Sequence, residues 1–444
     1  MSRRSTHVWV LGLLVLLVAA LATASALAGG LHSSPGGAAP VDPDTSASTP
    51  SADAAASAGA GAATPTSAAP ETPSPAPTPT TEDATFTIVA AGDVLPHTTV
   101  LKNAEDGSGG WDFTPLWDAV TPWISAADLA ICHLEVPVVA PGTQPIGYPV
   151  FGAPTTIARD LQEAGWDGCS TASNHAVDQG WPGIVATLDA LDAAGLGHAG
   201  TARTAEEATQ PQLYRLSRGG RDITVAHLAA TYGTNGLPIP AQEPWSVQLI
   251  DPSRLIAQAQ AARAAGADLV IASIHWGVEY QDAPNADQTT LAQQLADSGA
   301  VDLVIGNHPH VPQPVALLDG GPSGEGMWVA YSLGNFISNQ DSKCCRAQTA
   351  TGALVSVSVS STDADPARVT GLEWSGVTVD RLGAQRVYPL PDLIAGRLDA
   401  PALTLSPTEI ATREQLLTDV MAPAPERTAP PVPTGDPAVV VPRS

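Results

Sequence analysis

Basic residues are scarce in this sequence. Its 444 residues include 19 Lys and Arg against 44 Asp and Glu, which gives a formal net charge of −25. A protein that binds nucleic acid needs a basic face for its phosphate contacts, so the composition argues against a nucleic-acid partner. The sequence also lacks a P-loop and a Gly-x-Ser-x-Gly elbow. Nucleotide-driven ligation and serine hydrolysis therefore find no support.

Aromatic residues make up only 5% of the chain, whereas Pro (41) and Gly (40) are plentiful. These averages come largely from two biased segments. Residues 29–84 consist almost entirely of Ala, Pro, Ser, Thr and Gly, so they cannot bury enough apolar surface to offset the entropy of ordering. We predict a disordered linker over 29–84 and, from its Ala-Pro repeats, a disordered Pro-rich tail over 421–444.

The first 28 residues read as a targeting segment. Arg3 and Arg4 precede an apolar run that begins at Val8, a charge order that places the rest of the chain outside the cytoplasm. Ala26-Leu27-Ala28 fits a signal-peptidase site, but the run is also long enough to span a bilayer. Two alternatives stay open: a cleaved signal peptide and a secreted protein, or a retained anchor that holds the protein at the membrane.

The folded domain is predicted over residues 85–420, and it carries most of the acidity, with a net charge of −21 once the flanking segments are subtracted. Short β-branched runs alternate there with helical patterns, which predicts an α/β fold of sheets covered by helices. Strands are predicted at 85–91, 128–133, 168–172, 222–228, 268–274 and 301–305, and helices at 155–164, 183–194, 252–265 and 286–298. Three later strands without helices between them, at 315–318, 327–332 and 352–359, predict antiparallel closure.

Polar residues cluster where these strands end, which is where open α/β sheets place their ligands. Singly, each fits a turn or a helix cap as well as a ligand. Together they form a mixed oxygen and nitrogen set, which suits Mn²⁺, Fe²⁺ or Zn²⁺ better than the all-oxygen cage of Ca²⁺. Because a carboxylate can bridge two cations, the set predicts a dinuclear site. Its members are Asp93, Glu135, Asn174, His175, His275, His308 and His310.

Six motifs, in order, resemble the bacterial capsule-synthesis family CapA, which is associated with poly-γ-glutamate capsules and is similar to the calcineurin-like metallophosphatases. The resemblance covers residues 87–337 and implies a metallophosphatase-like layered sandwich. The motifs are Gly92-Asp93, Leu134-Glu135, Asn174-His175-x-x-Asp178-x-Gly180, His275-Trp276-Gly277-x-Glu279-Tyr280, Gly306-x-His308-Pro309-His310-Val311-x-Gln313 and Tyr331-Ser332-Leu333-Gly334-Asn335-Phe336.

The resemblance also implies roles. Asp93 and His310 would bind one divalent metal, Glu135 would bridge, and Asn174, His275 and His308 would bind a second. His175 would be the general acid that protonates the leaving oxygen. Four further residues are expected around the metals or the substrate: His133, Asp178, Glu279 and Asn335. Trp276 and Tyr280 either line a groove or pack beside the site.

Two positions depart from the phosphatase pattern. Phosphatases of this superfamily usually open with Asp-x-His, but Asp93-Val94-Leu95 lacks that His, and His97 lies two residues too far along to replace it. The Asn that usually precedes Leu-Glu is His133, which either compensates as a ligand or packs beside Glu135.

Three functions follow as hypotheses: an extracytoplasmic protein that assists synthesis or export of a capsule polymer such as poly-γ-glutamate, together with its synthesis machinery; a metal-dependent phosphoesterase; and a non-catalytic binding scaffold.

The four cysteines are Cys132, Cys169, Cys344 and Cys345. Outside the cytoplasm an even count indicates disulfides, with three possible pairings. The ends of two strands that we expect to be neighbours favour Cys132–Cys169, with Cys344 and Cys345 as a vicinal pair or a loop clamp. Buried free thiols remain the alternative for Cys132 and Cys169.

Overall fold

The structure, a computed structural model, describes residues 82–443. The targeting segment and nearly all of the predicted linker lie outside these residues. Within the described part of the chain, every helix is too short or too polar to cross a bilayer.

The first sheet is built around β1 (Ala84–Val94). Its strand order is β14-β13-β12-β1-β2-β3-β4, and the short strand β11 also pairs with β1. The neighbouring strands from β1 through β2 and β3 to β4 pair in parallel. On the other side of β1, the neighbouring strands β12, β13 and β14 pair antiparallel, and β12 is antiparallel to β1. The other strands of this sheet are β2 (Leu129–Leu134), β3 (Gly168–Ser170), β4 (Gly197–Ala199), β11 (Asn335–Ile337), β12 (Thr351–Ser361), β13 (Arg368–Asp380) and β14 (Arg386–Pro389).

The second sheet has the order β15-β5-β6-β7-β8-β10-β9, with a parallel centre and antiparallel edges. Its strands are β5 (Gln212–Arg218), β6 (Arg221–Thr231), β7 (Leu269–His275), β8 (Leu303–Asn307), β9 (Pro312–Leu318), β10 (Met327–Leu333) and β15 (Val439–Val441).

Helices connect the parallel strands. Those of the first half are α1 (Thr98–Asn103), α2 (Thr114–Trp117), α3 (Thr121–Ser125), α4 (Thr156–Glu163) and α5 (Gly180–Ala193). Those of the second half are α6 (Pro252–Ala264), α7 (Ala286–Asp297), α8 (Leu390–Ile394) and α9 (Pro407–Met421).

Alternation along β1 shows how the layers form. Phe86, Ile88 and Ala90 point into a core shared with strands of the second sheet, whereas Val89 and Ala91 face a separate core with the helices of the first half. A third core lies between the second sheet and α6 and α7. Side chains that alternate in a strand reach both faces, so two stacked sheets with helices outside bury every layer. The predicted layered α/β sandwich is confirmed.

The predicted elements of the folded domain are all present, with ends shifted by a few residues. The expected antiparallel closure after residue 313 is also confirmed, since β9 and β10 pair antiparallel and β12 is antiparallel to β1. The elements of this domain that were not predicted are strands β4, β5, β11, β13 and β14 and helices α1, α2, α3, α8 and α9.

The prediction of a disordered tail over 421–444 is wrong for residues 421–443. Strand β15 extends the second sheet beside β5, and the Trp374 backbone exchanges hydrogen bonds with Pro425 and Arg427. The Thr434 backbone N–H and hydroxyl both donate to Asp128, at 2.8 and 3.0 Å. Prolines need no ladder partner for their missing N–H, so a Pro-rich segment can be ordered by a few specific anchors.

Cysteine pairing is settled for one pair. Cys132 and Cys169 lie opposite each other on β2 and β3 and form a disulfide, as favoured from the sequence. Cys344 and Cys345 are free thiols, so the expected vicinal pair is wrong.

Candidate metal centre

The carboxyl ends of the parallel strands of both sheets lie beside one another. On the first sheet, strand register aligns Asp93 with His133 on β2 and with Asn335 on β11. On the second sheet, His275 at the end of β7 lies beside Asn307 at the end of β8. Because parallel strands present their carboxyl ends at one edge, ligand-type side chains far apart in sequence converge there.

Two glycines permit this convergence. A Cβ on Gly92 would lie 2.0 Å from the carbonyl oxygen of Gly334, and a Cβ on Gly306 would lie 2.0 Å from that of Tyr331. No larger residue fits such close backbone contacts. The glycines that precede Asp93 and Asn307 therefore let the strand ends approach their neighbours.

Asp93, Glu135 and His310 form a fully buried group, with one ligand-type atom from each within 4.8 Å of the other two. Both carboxylate oxygens of Glu135 are buried and have no hydrogen-bond partner among the described residues. Burial raises the pKa of Glu135 well above its ordinary value, since a charged carboxylate loses its hydration there. A cation is the partner that such a group lacks.

His310 supplies positive charge to these carboxylates. Its Nδ1 lies 3.0 Å from Asp93 Oδ2 and 3.1 Å from Asn335 Oδ1, and its Nε2 lies 3.8 Å from Glu135 Oε1. Burial opposes the charged imidazolium, but Glu135 and Asp93 outweigh it and raise the pKa of His310 to about 10. The electrostatics of the cluster thus favour a bound cation, whether proton or metal. Asn335 holds the ring and also donates to the His310 carbonyl.

A chain of side chains joins the two sheets. His133 Nδ1 lies 2.7 Å from Ser170 Oγ and its Nε2 lies 3.0 Å from His275 Nδ1, and His275 Nε2 lies 2.9 Å from Asn174 Oδ1. Burial lowers the pKa of both imidazoles, that of His133 to about 4, so both are neutral near pH 7. Since Asn174 Oδ1 can only accept, each ring donates from Nε2 and accepts at Nδ1.

Asp93, His133 and His275 form a second cluster with ligand atoms within 4.8 Å. His133, for which a ligand role was one of two alternatives, thus lies among the candidate ligands. His133 occupies the position at which the phosphatase pattern has Asn, and it is the residue of β2 that pairs with Asp93 of β1. The departure from that pattern places an extra imidazole at the shared edge.

Glu279, His308 and His310 form a third cluster. His308 and His310 have φ values of 99° and 57°, in the left-handed region that non-glycine residues rarely adopt. Such strain costs about 1–3 kcal/mol per residue and gathers at functional sites. Asn307 and His308 Nδ1 are buried without partners among the described residues, which adds oxygen and nitrogen donors beside the same centre.

His175 and Asp178 form a separate pair beside these clusters. Asp178 Oδ2 accepts from His175 Nδ1 at 2.7 Å and from the Phe151 backbone N–H at 2.7 Å. The carboxylate therefore fixes the ring and keeps the proton on Nδ1, which leaves Nε2 as the nitrogen that exchanges protons with a ligand. This is the arrangement that a general acid requires.

The other residues discussed from the sequence have different positions relative to the site. Trp276 is buried and donates from Nε1 to the Tyr331 carbonyl at 2.9 Å, so it packs beneath the site. The ring of Tyr280 lies 6.1 Å from that of His310. Leu95, at the position of the missing His, is buried in the helix-side core. His97 belongs to none of the three clusters, but its buried Nε2 has no hydrogen-bond partner among the described residues.

Sequence reasoning missed two parts of the site. Tyr232 follows β6 directly, and its ring centroid lies 4.6 Å from that of His308. Asn235 accepts from Asn174 Nδ2 at 3.3 Å. Phe151 packs edge-on against His175 at 4.7 Å and His97 at 4.9 Å. The end of β6 was the available signal, because it lies at the same edge as the other strand ends.

The donor set fits divalent metals. Buried carboxylates without partners, neutral imidazoles and amide oxygens converge at one edge, and this mixture suits Mn²⁺, Fe²⁺ or Zn²⁺. The structure brings together every predicted ligand: Asp93, Glu135, Asn174, His275, His308 and His310. Their assignment to particular metals stays a prediction.

Comparison with known proteins identifies relatives. The family described as bacterial capsule synthesis protein PGA_cap matches residues 87–340, more than half of the chain. A capsule biosynthesis protein CapA of Bacillus anthracis is 27% identical over 58% of this chain and 61% of its own length. A PGA biosynthesis protein CapA of Bacillus subtilis is 32% identical over 40% of this chain and 44% of its own length. The chain therefore aligns with less than two thirds of either Bacillus protein.

Other similarities are more distant. A probable polyglutamine synthesis accessory protein of Mycobacterium tuberculosis is 25% identical over 63% of this chain and 80% of its own length. Among solved structures, Haemophilus influenzae NAD nucleotidase covers 76% of this chain and 63% of its own, with 12% identity and a TM-score of 0.40. A 5′-nucleotidase precursor from Thermus thermophilus covers 76% and 58%, with 14% identity and a TM-score of 0.41. Likeness at this level says nothing about activity.

Proposed function

The chain belongs to the bacterial capsule synthesis protein family, and we propose that it assists the synthesis or export of a capsule polymer such as poly-γ-glutamate outside the cytoplasm. The names of relatives in two genera support this role, since they concern capsule, PGA or polyglutamine synthesis. The Arg3-Arg4 segment and the apolar run after it support the location.

The working part of the protein in this proposal is a metal-dependent phosphoesterase site. One observation carries it: Glu135, with two buried oxygens that lack partners, lies among Asp93 and His310, in reach of further imidazoles. Two divalent ions would be held by Asp93, Glu135 and His310 and by His275, His308 and Asn174, with His133 as an added ligand. When bound, such ions supply Lewis acidity and an activated water at neutral pH.

The chain's own residues supply the proton chemistry. Asp178 holds His175 by Nδ1 at 2.7 Å, so His175 Nε2 can carry a proton to the leaving oxygen of an ester. Glu135 and Asp93 are shielded from water, which strengthens any charge interaction in the site. His310, tied to Asp93 and Asn335, keeps the two carboxylates from repelling each other.

The substrate of this site is proposed to be a phosphate ester and not the polymer itself. The folded domain carries a net charge of −21, so its field repels a polyanion such as polyglutamate. Two cations close to the centre, Arg346 and Arg381, are already ion-paired with Asp282 and Asp341. A compact phosphate would bind through the local positive charge of the metals.

The enzymatic part is tested on the purified protein. We expect two metals per chain and hydrolysis of a phosphomonoester panel, with His175→Ala lowering kcat by about a hundredfold or more while metal content stays the same. The exposed Glu206 offers the control Glu206→Gln, which should match wild type. Bound metal without activity on the panel would refute the phosphoesterase and leave a binding scaffold.

The cellular part is tested by deleting the gene and measuring surface polymer. We expect the deletion strain to lose the polymer. A wild-type gene should restore it, as should the control Glu206→Gln, whereas Glu135→Gln should not. Unchanged polymer in the deletion strain would refute the capsule role. Restoration by Glu135→Gln would separate the capsule role from the metal site.

A further inference from the structure

Large apolar side chains are exposed around the mouth of the metal centre. Of the twelve large hydrophobic side chains exposed among the described residues, half lie on three loops that touch the site. We call this set the rim: Ile146, Tyr148, Val150, Tyr232, Leu237 and Val278. Exposed apolar side chains gathered in one place mark a binding surface, whereas scattered ones need no explanation.

Each rim loop is anchored to a residue of the candidate site. In the first, the Phe151 N–H donates to Asp178 at 2.7 Å. In the second, the Tyr232 N–H donates to the His275 carbonyl at 2.9 Å. In the third, the Tyr280 N–H donates to the Pro309 carbonyl at 2.8 Å, between His308 and His310. Each rim loop is therefore attached beside the centre by a backbone hydrogen bond.

The two tyrosines flank the Asn174-His175 dipeptide. Tyr148 reaches it through Phe151, whose ring lies 6.2 Å from Tyr148 and 4.7 Å from His175. Tyr232 reaches it through Asn235, which accepts from Asn174 Nδ2. Both tyrosines are thus connected to the dipeptide whose His175 would meet the phosphate of a ligand.

Both tyrosines present ring surface to solvent. Tyr148 is 73% exposed and meets Phe151 edge-on, at an interplanar angle of 73°. Tyr232 is 46% exposed, and its ring is nearly parallel to that of His275, at 9°. Aromatic faces stack on flat rings, and tyrosine loses little side-chain entropy when it does so because it has only two rotatable side-chain bonds.

We propose that the rim selects a phosphate ester whose alcohol carries a planar ring, stacked on Tyr148 and Tyr232. This specificity rests on the proposed phosphoesterase function of the same site. A polyanionic chain does not suit the rim, because its side chains are apolar or phenolic and the domain is acidic. The planar ring is favoured over an aliphatic chain by the exposed aromatic faces.

The test compares three monoesters of primary alcohols, whose leaving groups are chemically alike: phenethyl, cyclohexylethyl and ethyl phosphate. We expect kcat/KM for the phenethyl ester to exceed that for the ethyl ester by about tenfold or more, with the cyclohexylethyl ester between them. Tyr148→Ala should lower kcat/KM for the phenethyl ester to the value for the cyclohexylethyl ester. Tyr148→Phe should preserve the preference for the phenethyl ester. Leu382→Ala, an equally exposed position outside the rim loops, should leave all three ratios unchanged.

A binding measurement separates the two proposals. Calorimetry on the His175→Ala protein gives the affinity of each ester without turnover. Tighter binding of the phenethyl ester, lost in a His175→Ala/Tyr148→Ala double variant, would uphold the rim even if no ester is hydrolysed. Hydrolysis of all three esters at equal kcat/KM would overturn the rim and leave the phosphoesterase standing. A cyclohexylethyl ester that binds as tightly as the phenethyl ester would also overturn it, in favour of general apolar contact.

Discussion

The two ends of the parallel strands use carboxylates in opposite ways. At the amino end, four aspartates precede β2, β3, β7 and β8. The N–H of each donates to the carbonyl of one residue on the neighbouring strand, and its carboxylate accepts the N–H of that same residue at 2.7 to 2.8 Å. The pairs are Asp128 with Thr87, Asp167 with Ala130, Asp268 with Thr224, and Asp302 with Val270.

At the carboxyl end the situation is reversed. Glu135 has no hydrogen-bond partner for either oxygen among the described residues, and Asp93 depends on His310 for its charge partner. Buried polar groups in folded proteins are normally satisfied. The amino-end aspartates therefore stabilise strand pairing, whereas the carboxyl-end acids are held ready for a ligand at a cost in stability.

The largest expected effect comes from Glu135→Gln. The substitution keeps the shape of the side chain but removes the negative charge that a metal needs. We expect hydrolysis to fall by about a thousandfold, while the free energy of unfolding of the metal-free protein is unchanged or higher, because a desolvated acid is removed. Activity assays, metal analysis and denaturant unfolding measure this, with Glu206→Gln as control. Wild-type metal content in the variant would contradict the assignment of Glu135.

The opposite behaviour is expected for Asp128→Ala at the amino end. Asp128 Oδ1 accepts from Arg218 Nη2 at 2.8 Å, and both side chains are buried. Without this acid, the buried guanidinium of Arg218 has no charge partner in that place. We therefore expect the free energy of unfolding to fall by about 3–5 kcal/mol, with little change in kcat. Urea unfolding checks the value. The double variant Asp128→Ala/Arg218→Met should recover part of the loss; no recovery would mean that the pair is not the cause.

The sequence predicted the carboxyl end better than the amino end. Site residues such as Asp93, Glu135 and His308 lie within three residues of the end of an apolar run, and parallel strands align their ends, so their convergence follows from topology alone. Three of the four amino-end aspartates also have a local signal, Asp-Leu-Ala-Ile at 128–131 and Asp-Leu-Val-Ile at 268–271 and 302–305. Their partners lie on other strands, and those are known only once the strand order is known.

The order of the C-terminal segment was missed for a physical reason. Strand β15 and the segment before it contain too little apolar sequence to indicate order, yet Arg218 donates to the Asp436 carbonyl at 2.7 Å and to Thr434. A few long-range hydrogen bonds leave no periodic trace in the sequence. The same holds for Tyr232 and Asn235, which belong to the site through Asn174 and His275 and not through any motif.

Removal of the disulfide tests whether the carboxyl end also contains residues that stabilise the fold without taking part in metal binding. Cys132 and Cys169 are 37 residues apart, and the chain-entropy estimate for closing such a loop is about 4 kcal/mol, of which natural disulfides commonly deliver about 2–4. We expect Cys132→Ala/Cys169→Ala to lower the free energy of unfolding by about 3 kcal/mol. Metal content should persist, since neither sulfur is available as a ligand. A matched change at the free thiols, Cys344→Ala/Cys345→Ala, should have a smaller effect on unfolding; equal losses would refute a special role for the bridge.

The smallest expected effect concerns Asp167, which shows that even a satisfied amino-end acid has a cost. Burial raises the pKa of Asp167 from 3.8 to about 7, although the Ala130 N–H donates to it. A group whose pKa is higher in the folded state binds its proton more tightly there, so its contribution to stability is full below about pH 4 and is lost as the pH rises through about 7. Asp167→Asn keeps the acceptor and removes the titration. The free energy of unfolding of the variant, relative to that of wild type, should be higher at pH 8 than at pH 5 by about 2–3 kcal/mol, because wild type loses about 1.4 kcal/mol for each pH unit between the two pKa values. Unfolding curves at both pH values decide the point, with the exposed Asp222→Asn as the matched change; an equal difference at both values would mean that ionisation of Asp167 is not responsible.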